Sequence, residues 1–172
     1  MDLNLEQAYE EPVELAHVFD VPGARLDRPE LVSLDPVPFQ GRLEKADPGF
    51  ELRGGLELSG VVSCARCLKD VTFRRKAPVT WLFVAAHKRP ESEEEIELQA
   101  ADLEVVWYDE LVVPLDPLVD EQIQLELPMK VLCREDCRGL CPSCGVDRNE
   151  IACECREPGD DRWTPLRGLI KS

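Results

Sequence analysis

The sequence predicts an α+β fold that is mostly β: an antiparallel meander or partial barrel covered by one helix, with a cysteine-rich C-terminal module. Three observations predict it. Apolar residues alternate with period two through much of the stretch from Pro36 to Pro114. One segment, "DPLVDEQIQLELP", carries helical spacing and ends on a proline. Six of the eight cysteines crowd between Cys133 and Cys155.

Each element follows in order. Residues 1–35 mix short apolar pairs with proline, glycine and acids, and "VPGARLDRPE" holds two prolines and a glycine, so this stretch is expected to be an irregular N-terminal segment. From Pro36 the period becomes two, with Val37, Phe39, Gly41 and Leu43 on one side. "DPG" (Asp47–Gly49) is a turn signal, after which Phe50, Leu52, Leu56 and Leu58 resume the alternation. Val61 and Val62 lead into "CARC". The pieces "VTF" and "APVTWLFVA" that follow are rich in β-branched and aromatic residues, and "LEVVWYD" and "ELVVPL" read as further strands. In the helix, Asp116 suits the N-cap and Pro117 the first helical position. Leu118, Val119 and Ile123 form its apolar stripe, and Pro128 stops it. Residues 36–127 are thus an antiparallel sheet with an acidic insertion and a helix. Residues 128–172 form the cysteine-rich module, in which Trp163, Leu166, Leu169 and Ile170 share one side of a short helix with Pro165 in its first turn.

The chain has 172 residues, 44% of them hydrophobic, which suffices for a real core. No apolar run approaches the roughly 18 residues needed to span a bilayer. The acidic start "MDLNLEQAYEEPVEL" lacks the basic region and apolar run of a secretory signal. The expectation is a cytoplasmic protein whose thiols stay reduced, which argues against disulfides.

The formal net charge is −15, and it is concentrated. Residues 1–90 carry 14 acids against 12 bases, and residues 128–172 carry eight of each. Residues 91–127 carry 13 acids and no Lys or Arg. The acid run Glu91–Glu97 reads either as a solvated loop or as a surface for a basic partner, with Glu93, Glu94 and Glu95 at its centre. Free nucleic acid does not suit that segment, because phosphate binding needs Lys and Arg.

The eight cysteines fall into four pairs: Cys64-x2-Cys67, Cys133-x3-Cys137, Cys141-x2-Cys144 and Cys153-x-Cys155. The first three spacings let two sulfurs reach one metal, and soft thiolates favour zinc, so one or two Zn²⁺ ions are expected. "CPSCG" is the strongest local signal. Only eight residues part Cys144 from Cys153, which joins Cys141, Cys144, Cys153 and Cys155 in one zinc knuckle. In an extended strand Cys153 and Cys155 would stand about 7 Å apart, so either residue 154 turns or Cys155 is not a ligand. The other tetrad is then Cys64, Cys67, Cys133 and Cys137. The rival grouping, Cys133, Cys137, Cys141 and Cys144, leaves "CARC" as an exposed dithiol. Iron, mononuclear or in a cluster, is a further reading of the same ligands.

Catalytic signals are thin. His17 and His87 are far apart in ordinary settings, and no phosphate-binding loop or nucleophile elbow is present. Lys130, Arg134, Arg138, Arg148 and Arg156 interleave with the cysteines and "FRRKAP" follows the first pair, but Glu135, Asp136, Asp147 and Glu154 offset the C-terminal bases.

"CARCL", "DPLVDEQIQLELPMKVLCREDCRGLCPSCGVDRNE", "CEC" and "DRWTPLRGL" together resemble the YceD family, the large ribosomal RNA subunit accumulation proteins. The resemblance spans Gly55 to Leu169 and is closest between Leu115 and Cys155. Where the family reads "NLN" after the CG turn, this chain has "DRN" (Asp147–Asn149). Some members lack the last knuckle, which marks Cys141, Cys144, Cys153 and Cys155 as accessory. The resemblance implies a non-enzymatic factor for normal levels of large-subunit ribosomal RNA, with proximity to a small ribosomal protein. Joined to the charge pattern, it leads to an expected partner: a basic large-subunit ribosomal protein or assembly factor, with or without ribosomal RNA contact inside an assembly. No membrane and no small-molecule substrate are expected. Two alternatives stand beside it: a redox-responsive protein that releases zinc when the exposed pair Cys64 and Cys67 oxidises, and a zinc protein that binds RNA directly through residues 128–172.

Overall fold

The structure is a computed structural model that describes residues 1–89 and 105–155. The acid run with Glu93, Glu94 and Glu95, and the expected C-terminal helix, lie outside the described residues. The chain divides into two compact units: Met1–Val62 with Thr72–Met129, and Ser63–Val71 with Lys130–Ser172.

Among the described residues the first unit holds nearly all the regular structure. Its strands are β1 (Asp2–Asn4), β2 (Val13–Phe19), β3 (Leu31–Leu34), β4 (Val37–Lys45), β5 (Phe50–Ser63), β6 (Asp70–Ala85), β7 (Val105–Tyr108) and β8 (Val112–Pro114). Among the described residues its one α-helix is α1 (Asp116–Glu126). The sheets are open. β1 pairs β8, and the larger sheet runs β2-β4-β5-β6-β7 with β3 also on β5. β5 is long enough, at 14 residues, to serve two partners besides β6: Phe50–Leu56 pairs with β4, and Gly60–Val62 pairs with β3.

The expected alternation carries the core. Val37, Phe39 and Leu43 on β4 point inward, as do Leu52, Leu56 and Leu58 on β5 and Ala77, Val79, Trp81 and Phe83 on β6. They join Val119, Ile123 and Leu127 in one cluster, so the helix is the cover of the sheet. Burying each large apolar side chain stabilises the unit by about 1.5–3 kcal/mol. Gly41 faces Gly54 across β4 and β5 because the Phe39 ring closes over the pair. A β-carbon at Gly54 would lie 2.4 Å from the Gln40 oxygen and 3.0 Å from the Phe39 ring.

The fold class is as expected, and three details differ. Residues 1–35 are not irregular: they hold β1, β2 and β3. β2 breaks period two at Ala16–His17, and its place comes from pairing with β4, Val13↔Leu43 through Phe19↔Val37, a tertiary effect that a periodicity count does not register. β7 pairs β6 in parallel, Leu82↔Val105 through Ala85↔Tyr108, where a meander predicts antiparallel neighbours. Parallel pairing needs a long crossover, and residues 86–104, which read as an insertion, supply the length. Asp116 is the first helical residue rather than the cap, Leu115 occupies the cap without a side-chain bond, and Asp116 pairs with the Met1 ammonium. Among the described residues no helix is long and apolar enough to cross a membrane.

The second unit has almost no regular structure among its described residues beyond the ends of β5 and β6 and a bridge between Leu140 and Asp147. Its small buried cluster is Cys64, Cys67 and Cys137, with Val71, Leu132 and Leu140 packed on it. A unit so poor in apolar cover needs cross-links to hold shape.

Candidate metal centres

The turn after β5 begins the first centre. The Leu68 N–H donates to the Cys64 carbonyl at 3.0 Å, and the Cys64 N–H donates to the Lys69 carbonyl at 2.8 Å. Leu68 is thereby held at φ 62°. The "CPSCG" turn repeats this design: the Gly145 N–H donates to the Cys141 carbonyl at 2.8 Å, and Gly145 sits at φ 72°. The two CxxC segments are thus the same turn, one with glycine at the left-handed position and one with leucine.

These turns aim N–H groups at sulfur. Cys64 Sγ receives the N–H groups of Cys67 and Arg66, and that of Cys133 at 3.4 Å. Cys141 Sγ receives those of Cys144 and Ser143. The sulfurs then converge in two groups: Cys64, Cys67, Cys133 and Cys137, and Cys141, Cys144, Cys153 and Cys155. Within each group the four atoms lie within 4.8 Å of one another. Cys64 Sγ is 3.9 Å from Cys137 Sγ, and Cys67 Sγ is 3.5 Å from Cys133 Sγ. The structure brings together the long-range grouping, not the local rival. Cys155 joins its tetrad because residues 152–155 are not a strand, and its N–H turns back onto Cys153.

Proton sharing shows the conflict within each donor set. Burial opposes a Cys64 thiolate, yet the N–H groups around it prevail and bring the thiol down to about 6. The N–H groups of Cys144 and Ser143 likewise bring Cys141 down to about 6. Cys133, bonded to Cys67, and Cys155, bonded to Cys144, are pushed up to about 12. Four thiols this close cannot all ionise alone, and a divalent cation at the centre removes that conflict. Both tetrads can hold a metal ion, and four soft donors with N–H groups already aimed at sulfur fit one.

The two centres differ in cover. Cys64, Cys67 and Cys137 are buried and Cys133 is exposed. In the second centre Cys141 is buried, Cys153 is half-buried, and Cys144 and Cys155 are exposed. The exposed Cys64–Cys67 pair that the redox alternative requires is therefore corrected, because the segment from Lys130 covers that turn: the Ala65 N–H donates to the Val131 carbonyl at 2.8 Å.

The chain around the cysteines is held by residues that spacing alone does not single out. Arg66 donates to the Cys137 carbonyl at 2.6 Å, and its own carbonyl accepts the Leu140 N–H. Lys69 pairs with Asp147 at 3.0 Å and with Glu150. Those partners raise its pKa, while the Asn149 N–H first, and Lys69 second, hold the Asp147 carboxyl below the usual carboxylate range. Asn149 donates to Asp147 Oδ1 at 2.6 Å and to Cys137 Sγ at 3.4 Å, and accepts from Arg138 N at 2.8 Å and Arg134 Nη2 at 2.9 Å. Arg134 also pairs with Asp136. D-x-N is an Asx-turn signal, but the sequence does not say which sulfur the turn will face. His17 packs edge-on to Phe19, and among the described residues no histidine or carboxylate joins either tetrad.

The family model described as large ribosomal RNA subunit accumulation protein YceD matches residues 52–170. An uncharacterised protein of Mycobacterium bovis is 33% identical over 144 residues, covering 82% of this chain and 67% of that protein. The uncharacterised protein YlbN of Bacillus subtilis is 26% identical over 140 residues, covering 80% and 76%. The Zea mays protein named large ribosomal RNA subunit accumulation protein YCED homolog 1, chloroplastic, is 31% identical over 78 residues, covering 41% of this chain and 27% of that protein. No solved structure matches.

Proposed function

The chain belongs to the YceD family of large ribosomal RNA subunit accumulation proteins, and from that premise we propose a non-catalytic, zinc-bearing biogenesis factor that works in the cytoplasm. Its family name ties it to accumulation of large-subunit ribosomal RNA. In this reading each tetrad holds one Zn²⁺. Cys64, Cys67, Cys133 and Cys137 hold the first, and Cys141, Cys144, Cys153 and Cys155 hold the second. A bound zinc ion supplies rigidity and no reaction. The observation that carries the reading is the convergence of all eight sulfurs into two tetrads with none left over.

The acidic stretch 91–127 supplies the negative charge that draws a basic partner, a large-subunit ribosomal protein or an assembly factor. Opposite charge makes such association fast and sensitive to salt. The test uses purified full-length protein. Metal analysis should return two zinc ions per chain, and binding to a basic large-subunit protein should weaken steeply with salt and fall when Glu93, Glu94 and Glu95 become Gln. A metal-free, folded chain overturns the zinc reading, and salt-independent binding overturns the acidic surface.

One observation favours a second reading, release of metal on oxidation. Cys144 and Cys155 are exposed, so an oxidant reaches the second tetrad before the buried Cys64. Mild oxidant that frees zinc and pairs those two thiols supports it.

A further inference from the structure

The loop that closes the second tetrad does not stay with the second tetrad. Between its ligands Cys144 and Cys153 lies the run Asp147–Ile151, and several of its polar groups reach the residues around the first. Asn149 Nδ2 donates to Cys137 Sγ at 3.4 Å. Asn149 Oδ1 accepts the Arg138 N–H at 2.8 Å and Arg134 Nη2 at 2.9 Å, so it grips the residues on both sides of Cys137. The Arg148 N–H donates to the Gly139 carbonyl at 2.9 Å. Asp147 and Glu150 hold Lys69, two residues past the ligand Cys67.

Resting on the reading that both tetrads take metal, we propose that the two centres fill cooperatively and that Asn149 is the positioning residue that couples them. The physical argument is one of anchoring. A cation in the second tetrad ties down Cys144 and Cys153, the two ends of the loop, and so removes most of the freedom that Asn149 would lose on meeting Cys137. The amide then bonds a sulfur that carries charge when metal is bound, a stronger bond than one to a neutral thiol. Metal in the first tetrad fixes Cys137 and Gly139, which presents a ready seat to the same loop. Such coupling is reciprocal, each ion raising the affinity for the other by the same factor. The second centre, with two exposed ligands, thereby acts on the first, which exposes only Cys133: whatever strips Cys144 and Cys155 also loosens metal at Cys64.

The test is zinc titration of the metal-free full-length protein followed by native mass spectrometry. Two independent, equal sites put about half the chains in the one-ion state at half-saturation. Coupling of about tenfold, within the usual allosteric range, holds that state near a quarter. Asn149→Ala keeps all eight thiols and should raise the one-ion fraction. A second measurement reads the first centre itself. In the cobalt-loaded protein, loss of the N–H donor on Cys137 should move the thiolate-to-cobalt charge-transfer band to lower energy, which a purely structural role for Asn149 would not do. Chelator competition completes the cycle. Replacing Cys144 and Cys155 by Ser should weaken the first centre about tenfold in the native background, and by little once Asn149 is Ala. A one-ion fraction that Asn149→Ala leaves unchanged, or a first centre indifferent to the loss of Cys144 and Cys155, overturns the coupling and leaves the zinc reading standing. A chain that takes up no zinc overturns both.

Discussion

Gly139 brings its α-carbon so close to Arg66 that a β-carbon there would lie 2.8 Å from the Arg66 carbonyl oxygen. Gly145 shares its φ of 72° but has nothing within 4 Å of such an atom. The two glycines therefore separate backbone strain from steric contact. Gly145→Ala should cost about 1 kcal/mol, the left-handed penalty alone. Gly139→Ala should cost about 2–3 kcal/mol, because backbone must also move. Denaturant unfolding of the metal-loaded protein measures both, and equal costs would mean that the close approach is relaxed in solution.

Leu68 sits at φ 62° with 63% of its surface exposed, in a turn whose counterpart uses glycine. Leu68→Gly relieves about 1–2 kcal/mol of left-handed strain and adds about 0.5–1 kcal/mol of chain entropy to the unfolded state. A small net gain is expected, seen as a higher midpoint with zinc still bound. A clear loss would show that the leucine side chain has a contact of its own.

Metal removal should act on one unit. A strong chelator is expected to expose the amides of residues 130–155 to hydrogen exchange while β4 and β5 keep their protection, since the core around Phe39, Leu56 and Ile123 contains no thiol. Cys64→Ser, at a buried ligand, should disrupt more than Cys155→Ser, at an exposed one. Uniform loss of protection over the whole chain would contradict this.

On the helix, Ile123 is fully buried and Leu125 is 74% exposed. Ile123→Ala should cost about 2–5 kcal/mol, and Leu125→Ala should stay within about 0.5 kcal/mol. Thermal unfolding tells them apart, and a large effect at Leu125 would indicate an unrecognised contact for that side of α1.

Asp147 offers a pH signature. Its folded carboxyl ionises below the unfolded value, so its contribution is complete above about pH 4 and is lost as the pH falls through the lower folded value. Asp147→Asn should unfold at a lower denaturant midpoint than the native chain at pH 7, by less than Gly139→Ala, with the gap unchanged down to pH 5. The two chains should converge only under strong acid. A gap that closes between pH 7 and pH 5 would assign the effect to another group.

The inward residues of β4, β5 and β6 and the helix stripe were legible because burial on one face leaves a period in the sequence. The tetrads were legible because ligand pairs have short, stereotyped spacings. β2 and the parallel pairing of β7 were not, since both depend on neighbours distant in the chain. Asn149 was not legible either: its role depends on a sulfur twelve residues back and on a turn that directs the amide there. The burial of Cys64 and Cys67 came from the Val131 segment, which no spacing announces.

Cys64 and Cys67 are separated from Cys133 by 65 residues, so the first tetrad is built from an early half and a late half. At translation rates of about 5–20 residues per second, the early pair waits roughly 3–13 seconds for its partners. During that time the nascent chain carries an open dithiol that binds a cation only loosely and that an oxidant can close. Any product cut short before Cys137 keeps that reactive pair, and a fragment begun at residue 128 never acquires it. If the first tetrad takes metal as proposed, its closure is thus a chemical event in synthesis, the capping of two waiting thiols by a pair made after 65 further residues.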